Sequence, residues 1–270
     1  MTSLKSLQAN NMLRLRDEIT QLASVCPGRI GLAIETHEGK ILLNEMDRFP
    51  SASLIKLPIL IECFRQVEAG KISLDEPVDF SSLKRVGGAG VLPALSDSVK
   101  LTVKDFMTLM IIVSDNTATN FLIDLAGEKE INDCIKTLQL KETSLGRRMM
   151  DFEAIRNGKN NYTSPEDMLL VLKEIDRGKL LNKKSRELIL QIMKQQQFVD
   201  KLPALMDTEI VTAANKTGEL DGVEHDCGIF TYGEKTVYAS VLIDGLYDKE
   251  LGRKTISRIG KAIFDYLIKK

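Results

Sequence analysis

Segments with strand character stand at the two ends of this chain and helical segments fill the middle, so the two ends have to meet in one sheet. Arg29–Thr36 (RIGLAIET) and Lys40–Glu45 (KILLNE) read as two strands joined by a turn at His37–Gly39, a hairpin. Glu209–Thr217, Gly228–Tyr232 and Thr236–Ile243 are strand-like near the other end. The expected class is α/β, with the terminal segments sharing the sheet.

Leu4–Val25 places Leu15, Ile19, Leu22 and Ala23 among charges, an amphipathic helix stopped by Pro27-Gly28. Ser53 to about Glu68 is an apolar helix that ends at Gly70, a C-cap residue. Thr102–Val113 and Asn116–Ala126 are helical runs broken at Ser114-Asp115. Leu83–Pro93 holds Gly87, Gly88, Gly90 and Pro93, and reads as an ordered loop with unusual backbone angles. Leu140–Pro165 is polar and aperiodic, a long loop of the kind that often carries function. Ser164 then caps a helix with Pro165 at its first position, and Lys249–Ile268 closes the chain as an amphipathic helix. The expected division is one domain over 1–270, with a sheet half from 1–50 and 208–270 and a helical half from 51–207.

The 270 residues carry 37 Lys+Arg against 38 Asp+Glu, a formal charge of −1, without the basic excess of a nucleic-acid binder. The most apolar stretch, Met107–Val113, falls far short of the roughly 20 residues of a membrane helix. Met1 to Arg16 lacks the apolar core of a signal peptide, so the chain reads as cytoplasmic unless a leader preceded it. Cys26, Cys63, Cys134 and Cys227 form no CxxC pair and read as reduced, mostly buried thiols; no metal and no cofactor is expected. A catalytic histidine would have to be His37 or His225.

Three short motifs occur in order. Ser53-Leu54-Ile55-Lys56 is an S-x-x-K. Residues three apart share a helix face, and a desolvated lysine can take the proton of an otherwise weak serine nucleophile. Alone, the pattern also describes a capping serine beside a solvated lysine, but Lys56 is the one charge in the run Phe49–Ile61, and a buried lysine needs a reason. Ser114-Asp115-Asn116 offers a proton relay and an amide donor, or a helix N-cap. Lys216-Thr217-Gly218 offers a cation and a hydroxyl for a carboxylate, with a glycine that admits substrate to the backbone, or a strand end before a turn.

In this order the motifs resemble the penicillin-recognising serine enzymes, and among them the class A β-lactamases. Phe49-Pro50, Thr163-Ser164-Pro165 and the strand–strand–helix ending extend the resemblance from about Leu15 to Leu267. It implies a five-stranded antiparallel sheet flanked by helices plus an all-helical subdomain, with the site between them. It implies Ser53 as the acylated nucleophile, Lys56 as its base and Ser114 as the relay to the leaving nitrogen. Asn116 would hold the substrate's amide side chain, and Lys216 and Thr217 its carboxylate, along the strand that Gly218 opens. The backbone N–H groups of Ser53 and Glu219 would form the oxyanion hole, with the Glu219 side chain at the pocket edge. His225 falls near the place where many relatives carry a carboxylate-binding arginine, and reads as well as an ordinary strand-end histidine.

The long loop departs from the pattern. Class A enzymes usually carry there a glutamate, two residues after an arginine and four before an asparagine, that activates the deacylating water. Here the loop reads Leu145-Gly146-Arg147-Arg148-Met149-Met150-Asp151-Phe152-Glu153-Ala154. Counting forward from Asn116 puts Met150 at the glutamate's place; counting back from Pro165 puts Arg148 there and Phe152 at the asparagine's. Asp151 and Glu153 are the acids near enough in sequence to substitute, Asp151 first, unless they pair with Arg147 or Arg148. The expected function is a β-lactam-opening serine hydrolase that works through an acyl-enzyme on Ser53, as a monomer acting on a small β-lactam or related acyl substrate. The alternative is a penicillin-binding or esterase/peptidase-like protein that is acylated and deacylates slowly. Relatives of this kind act outside the inner membrane, which sets an exported role against the absence of a leader-like segment.

Overall fold

Alternating apolar residues at both ends of the chain close one antiparallel sheet, and the helices between them build a second core against it. The computed structural model describes residues 4–269; Met1–Ser3 and Lys270, which the sequence reading assigns to the sheet half, lie outside the described residues. Helix α1 (Leu4–Ser24) leads into the hairpin β1 (Arg29–Thr36) and β2 (Gly39–Leu43). The short strand β3 (Phe49–Pro50) and a 3₁₀ turn, Ala52–Ile55, deliver the chain to α2 (Lys56–Glu68). β4 (Pro77–Val78) pairs with β5 (Leu101–Thr102) ahead of α3 (Val103–Ile112), α4 (Asn116–Ala126) and α5 (Glu128–Thr137). The long loop holds a short helix, α6 (Phe152–Arg156), and a strand, β6 (Tyr162–Thr163), that pairs with β3. After α7 (Pro165–Arg177), α8 (Lys183–Lys194) and a 3₁₀ turn at Leu202–Leu205 come β7 (Thr212–Leu220), β8 (Val223–Tyr232), β9 (Lys235–Asp244) and α9 (Lys249–Ile268).

The sheet order is β2-β1-β9-β8-β7, antiparallel throughout, which leaves β7 as a free edge. Side chains alternate between its faces. Leu32, Ile34, Phe230, Val237, Ala239 and Val241 pack against α1 and α9 through Leu15, Ile19, Ile256 and Ile263. Ala33, Ala214, Cys227, Ile229, Tyr238 and Leu242 face the other core, filled by Leu57, Phe106, Leu122, Ile131, Met168 and Ile189 of the middle helices. None of the described helices is long and apolar enough to cross a membrane.

Several elements differ from the sequence reading, among them β7, read as Glu209–Thr217 and running Thr212–Leu220. The S-x-x-K segment starts as a 3₁₀ turn, and the α-helix begins only at Lys56. β8 begins at Val223, five residues earlier than read, because Glu224, His225 and Asp226 are buried with polar partners although their composition is unlike a strand. The long loop is ordered by its polar side chains. The buried Asp167 accepts from Glu142 N (2.8 Å), Lys141 N (3.1 Å) and the Thr143 hydroxyl (2.7 Å). Asn161 Oδ1 accepts from Gly146 N (2.8 Å) and Arg147 N (3.0 Å). Backbone groups in a loop need such partners once they leave water.

Helix α9 approaches the Leu202–Leu205 turn so closely that a Cβ on Gly260 would lie 1.9 Å from the Leu202 carbonyl oxygen. A helix interior favours alanine over glycine by about 1 kcal/mol. Gly260→Ala is nevertheless expected to melt at a lower temperature by circular dichroism, because the backbone contact outweighs that preference; a higher melting temperature would show that the turn yields.

Candidate active site

Four elements bring the motif residues together. Ser53, half-buried, sits in the 3₁₀ turn behind Ala52, whose φ of +47° is uncommon for a residue with a side chain. Lys56 opens α2, Ser114 lies between α3 and α4 with φ +54°, and Lys216 lies on β7. Both lysines are 0% exposed. Lys56 Nζ contacts Ser114 O (2.6 Å), Ser114 Oγ (2.9 Å) and Asn116 Oδ1 (3.0 Å). Lys216 Nζ donates to the same Ser114 Oγ (3.1 Å) and to Thr217 O (2.8 Å).

Burial drives both amines toward the neutral form. Desolvation, followed by the nearby Lys216 cation, holds Lys56 well below the usual lysine range. Desolvation and then Lys201 push Lys216 down to about 7. A neutral Lys56 donates two protons, to Ser114 O and Asn116 Oδ1, and its lone pair faces the Ser114 hydroxyl. Ser114 thus stands between two amines that can exchange a proton through it. Lys56 makes no hydrogen bond to Ser53 here, so the S-x-x-K pair is joined through the shared pocket.

Asp115 holds this arrangement from below. It caps α4 through Ala118 N (2.9 Å), and its other oxygen accepts from Val91 N (2.7 Å) and Leu92 N (2.8 Å). Gly90 (φ +119°) leaves no space for a Cβ, which would lie 2.2 Å from Asp115 Oδ2. Asn116 donates to Gly87 O (3.1 Å), so the glycine-rich loop is laid against the second motif. On β7, Asn215 O accepts from Gln196 (3.0 Å) and Thr217 O from Lys216 (2.8 Å), which points the odd-numbered backbone groups off the free edge. The same period of two aims the Glu219 N–H outward. At Gly218 a Cβ would meet Ala52 Cβ at 3.2 Å and Ser51 O at 3.3 Å, so the glycine lets the Ser53 turn pack on the strand.

Two candidates from the sequence, Asp151 and His225, fall elsewhere, and the Glu219 side chain leaves the pocket edge. Asp151 Oδ1 accepts from Ala154 N (2.9 Å) as the N-cap of α6. It lines a cavity of about 1010 Å³ with Glu76, Phe121, Asp124 and Met150, and that lining does not include Ser53, Lys56 or Ser114. Among the described residues, the carboxylate that acts on Lys56 is Asp115. Asp151 is therefore a capping residue in this structure, because Met150, with φ +61°, turns the loop before it. Met150 itself comes to the site, its sulfur beside Gly88 next to the Asn116 amide. Arg148 turns out to pair with Asp124. The Glu219 carboxylate is drawn back to α9 by Lys249 (2.5 Å) and Arg253 (3.0 Å). His225 is 0% exposed, with both ring nitrogens against backbone groups, and is closed to a substrate carboxylate.

Lys201 escaped the sequence reading. It is buried, pairs with Glu224 (2.5 Å) and donates to Gly218 O (3.0 Å) and His225 O (3.2 Å), bracing the β7–β8 pair beside the site. Nothing in its local sequence, Asp200-Lys201-Leu202-Pro203, marks a buried cation.

A family model described as "Beta-lactamase enzyme family" matches residues 14–267. A β-lactamase of Bacteroides uniformis is 26% identical, over 96% of this chain and 93% of that protein. The crystal structure of a β-lactamase from Sphaerobacter thermophilus superposes with a TM-score of 0.83 at 30% identity, covering 92% of this chain and 95% of the other. A mutant of PBP-A, solved as an acyl-enzyme complex with penicillin G, superposes with a TM-score of 0.83 at 27% identity, covering 94% and 96%. By the span of the family match and the motif residues it contains, this chain belongs to the β-lactamase enzyme family.

Proposed function

We propose that this chain is a serine hydrolase that opens β-lactam rings through an acyl-enzyme on Ser53. The observation that carries the reading is the convergence of two desolvated amines, Lys56 and Lys216, on Ser114 beside the turn that bears Ser53. The Ser53 oxygen attacks the ring carbonyl and its proton passes to neutral Lys56. Charge then develops on the carbonyl oxygen between the Ser53 and Glu219 N–H groups, donors worth about 10²–10³ in rate each where measured. As the C–N bond breaks, Ser114 protonates the leaving nitrogen and recovers a proton from the adjoining amine. Asn116 takes the substrate's amide side chain, and Lys216 with Thr217 its carboxylate. The working unit is one chain, acting on a small molecule. A chromogenic cephalosporin is expected to be turned over by the protein and not by Ser53→Ala; the absence of both turnover and adduct in the parent would sink the reading.

A second reading, an acylated protein that deacylates slowly, is favoured by one observation: the loop side chain next to Asn116 is the thioether of Met150, and no loop carboxylate acts on Lys56. The PBP-A mutant relative was itself captured with penicillin G attached. Intact-protein mass spectrometry separates the readings, since an adduct that lasts for hours supports the second and rapid return to the free mass the first. Met150→Glu, which sets a carboxylate at the loop position beside Gly88 and Asn116, is expected to shorten the adduct's lifetime at least tenfold, while Arg148→Glu leaves it unchanged.

Lys216 adds a pH dependence. With a proton affinity near 7, its cation is present below that pH and is lost above it. The second-order acylation rate with a carboxylate-bearing β-lactam should fall as pH rises through about 7, while an uncharged ester analogue shows no such limb. A limb common to both substrates would assign the titration to another group.

A further inference from the structure

The His225 ring lies at the junction of three segments that the proposed chemistry needs. It projects from β8 directly across from Gly218, and its Cβ is 3.3 Å from where a Cβ on that glycine would stand. Its Nε2 is 2.8 Å from Pro50 O, one residue before Ser51 and three before Ser53. Its Nδ1 receives the Ile243 N–H of β9 at 3.1 Å. The Phe49 ring stands edge-on to it, with centroids 6.1 Å apart and planes at 90°.

These contacts select a tautomer. With the proton on Nε2, the ring donates to Pro50 and accepts from Ile243. The opposite tautomer would gain the Glu224 carbonyl, 2.9 Å from Nδ1, but would set lone pair against lone pair at Pro50 and leave the Ile243 N–H facing a donor. Burial also keeps the ring neutral, its proton affinity pushed down to about 4.

We propose that His225 is a positioning residue for the nucleophile: its Nε2–H bond to Pro50 holds the turn that sets Ser53 N–H against the Glu219 N–H on the edge of β7. The turn requires holding. Ala52 sits at φ +47°, a left-handed conformation that is unfavourable for a residue with a side chain. Four bonds oppose its relaxation: Leu54 N to Ser51 O (3.0 Å), Ser51 N to Asn161 O (2.9 Å), Ser51 Oγ to Ala52 O (3.1 Å) and the His225 ring to Pro50 O. Only the last joins the turn to the sheet that carries the second oxyanion donor. A misplacement of about 1 Å between such groups costs about 10²-fold in rate.

The inference rests on the acyl-enzyme reading of Ser53, and its test uses two variants that each keep one ring nitrogen. In His225→Gln the amide nitrogen can occupy the place of Nε2 and donate to Pro50. In His225→Asn the amide oxygen occupies the place of Nδ1 and only the Ile243 bond survives. Stopped-flow acylation with a fluorescent penicillin is expected to slow 10–100-fold in His225→Asn at an unchanged non-covalent dissociation constant, and to stay within threefold of the parent in His225→Gln. Equal rates in the two variants would overturn the proposal. Hydrogen exchange gives an answer that needs no activity: amides of 51–55 should exchange faster in His225→Asn alone, with β8 and β9 protected alike in both. If neither variant folds, the ¹⁵N spectrum of the parent decides, because an Nδ1-protonated or charged ring at pH 7 rules the bond out. Absence of a Ser53 adduct in the parent would defeat the acyl-enzyme reading alone, leaving the exchange and tautomer results to judge His225.

Discussion

Two lysine amines buried in one pocket are the constraint around which the rest of this structure is arranged. Neither is exposed, and they share a single hydroxyl, that of Ser114. Two cations so placed would repel and would each lose most of their hydration, so the pocket favours states in which Lys56 is neutral. A neutral amine in contact with a serine is a base; the chemistry follows from the electrostatics of burial more than from the residues' identities. The helical core behind α2 and the sheet face beneath β7 bury both amines.

The groups that meet there come from positions 53, 56, 114 and 216, and the backbone around several of them does something unusual. Ala52 and Ser114 have positive φ, Gly90 leaves no space for a side chain, Gly218 packs tightly against Ala52 and Ser51, and β7 is an unpaired edge. Buried polar side chains hold these conformations: Asp115 under the glycine loop, Asn161 and Asp167 along the long loop, Lys201 across β7 and β8. An orphaned backbone group in such a place costs about 1–3 kcal/mol, so every one of these side chains is a structural requirement of the site.

The motifs were legible in the sequence because their chemistry is local: a serine three residues from a lysine in an apolar run needs no tertiary information to stand out. The sheet was legible at both ends for the same reason, since alternation is a property of neighbours. What was not legible depends on partners far along the chain. The segment Glu224-His225-Asp226 does not read as a strand, yet it is buried because Lys201, Leu202, Asn215 and Ile243 arrive to satisfy it. Asp151 is close to the site in sequence but turned from it, because a left-handed Met150 reverses the loop first. His225 was considered for its charge, whereas the fold uses its two nitrogens as a neutral donor and acceptor.

The site separates into two halves with different physical origins. The acylating half is assembled from rigid elements and rests on burial, which the whole fold enforces. The deacylating half would rest on one side chain of a loop, and here that side chain is a methionine lying against Gly88 and Asn116. A thioether accepts hydrogen bonds weakly and takes no proton, so a water held there has no base. Loop residues vary at little cost to the core, whereas Lys56 and Ser114 cannot change without leaving a buried polar partner unpaired. On the proposed reading, a protein of this design loses turnover while keeping the reaction that labels it.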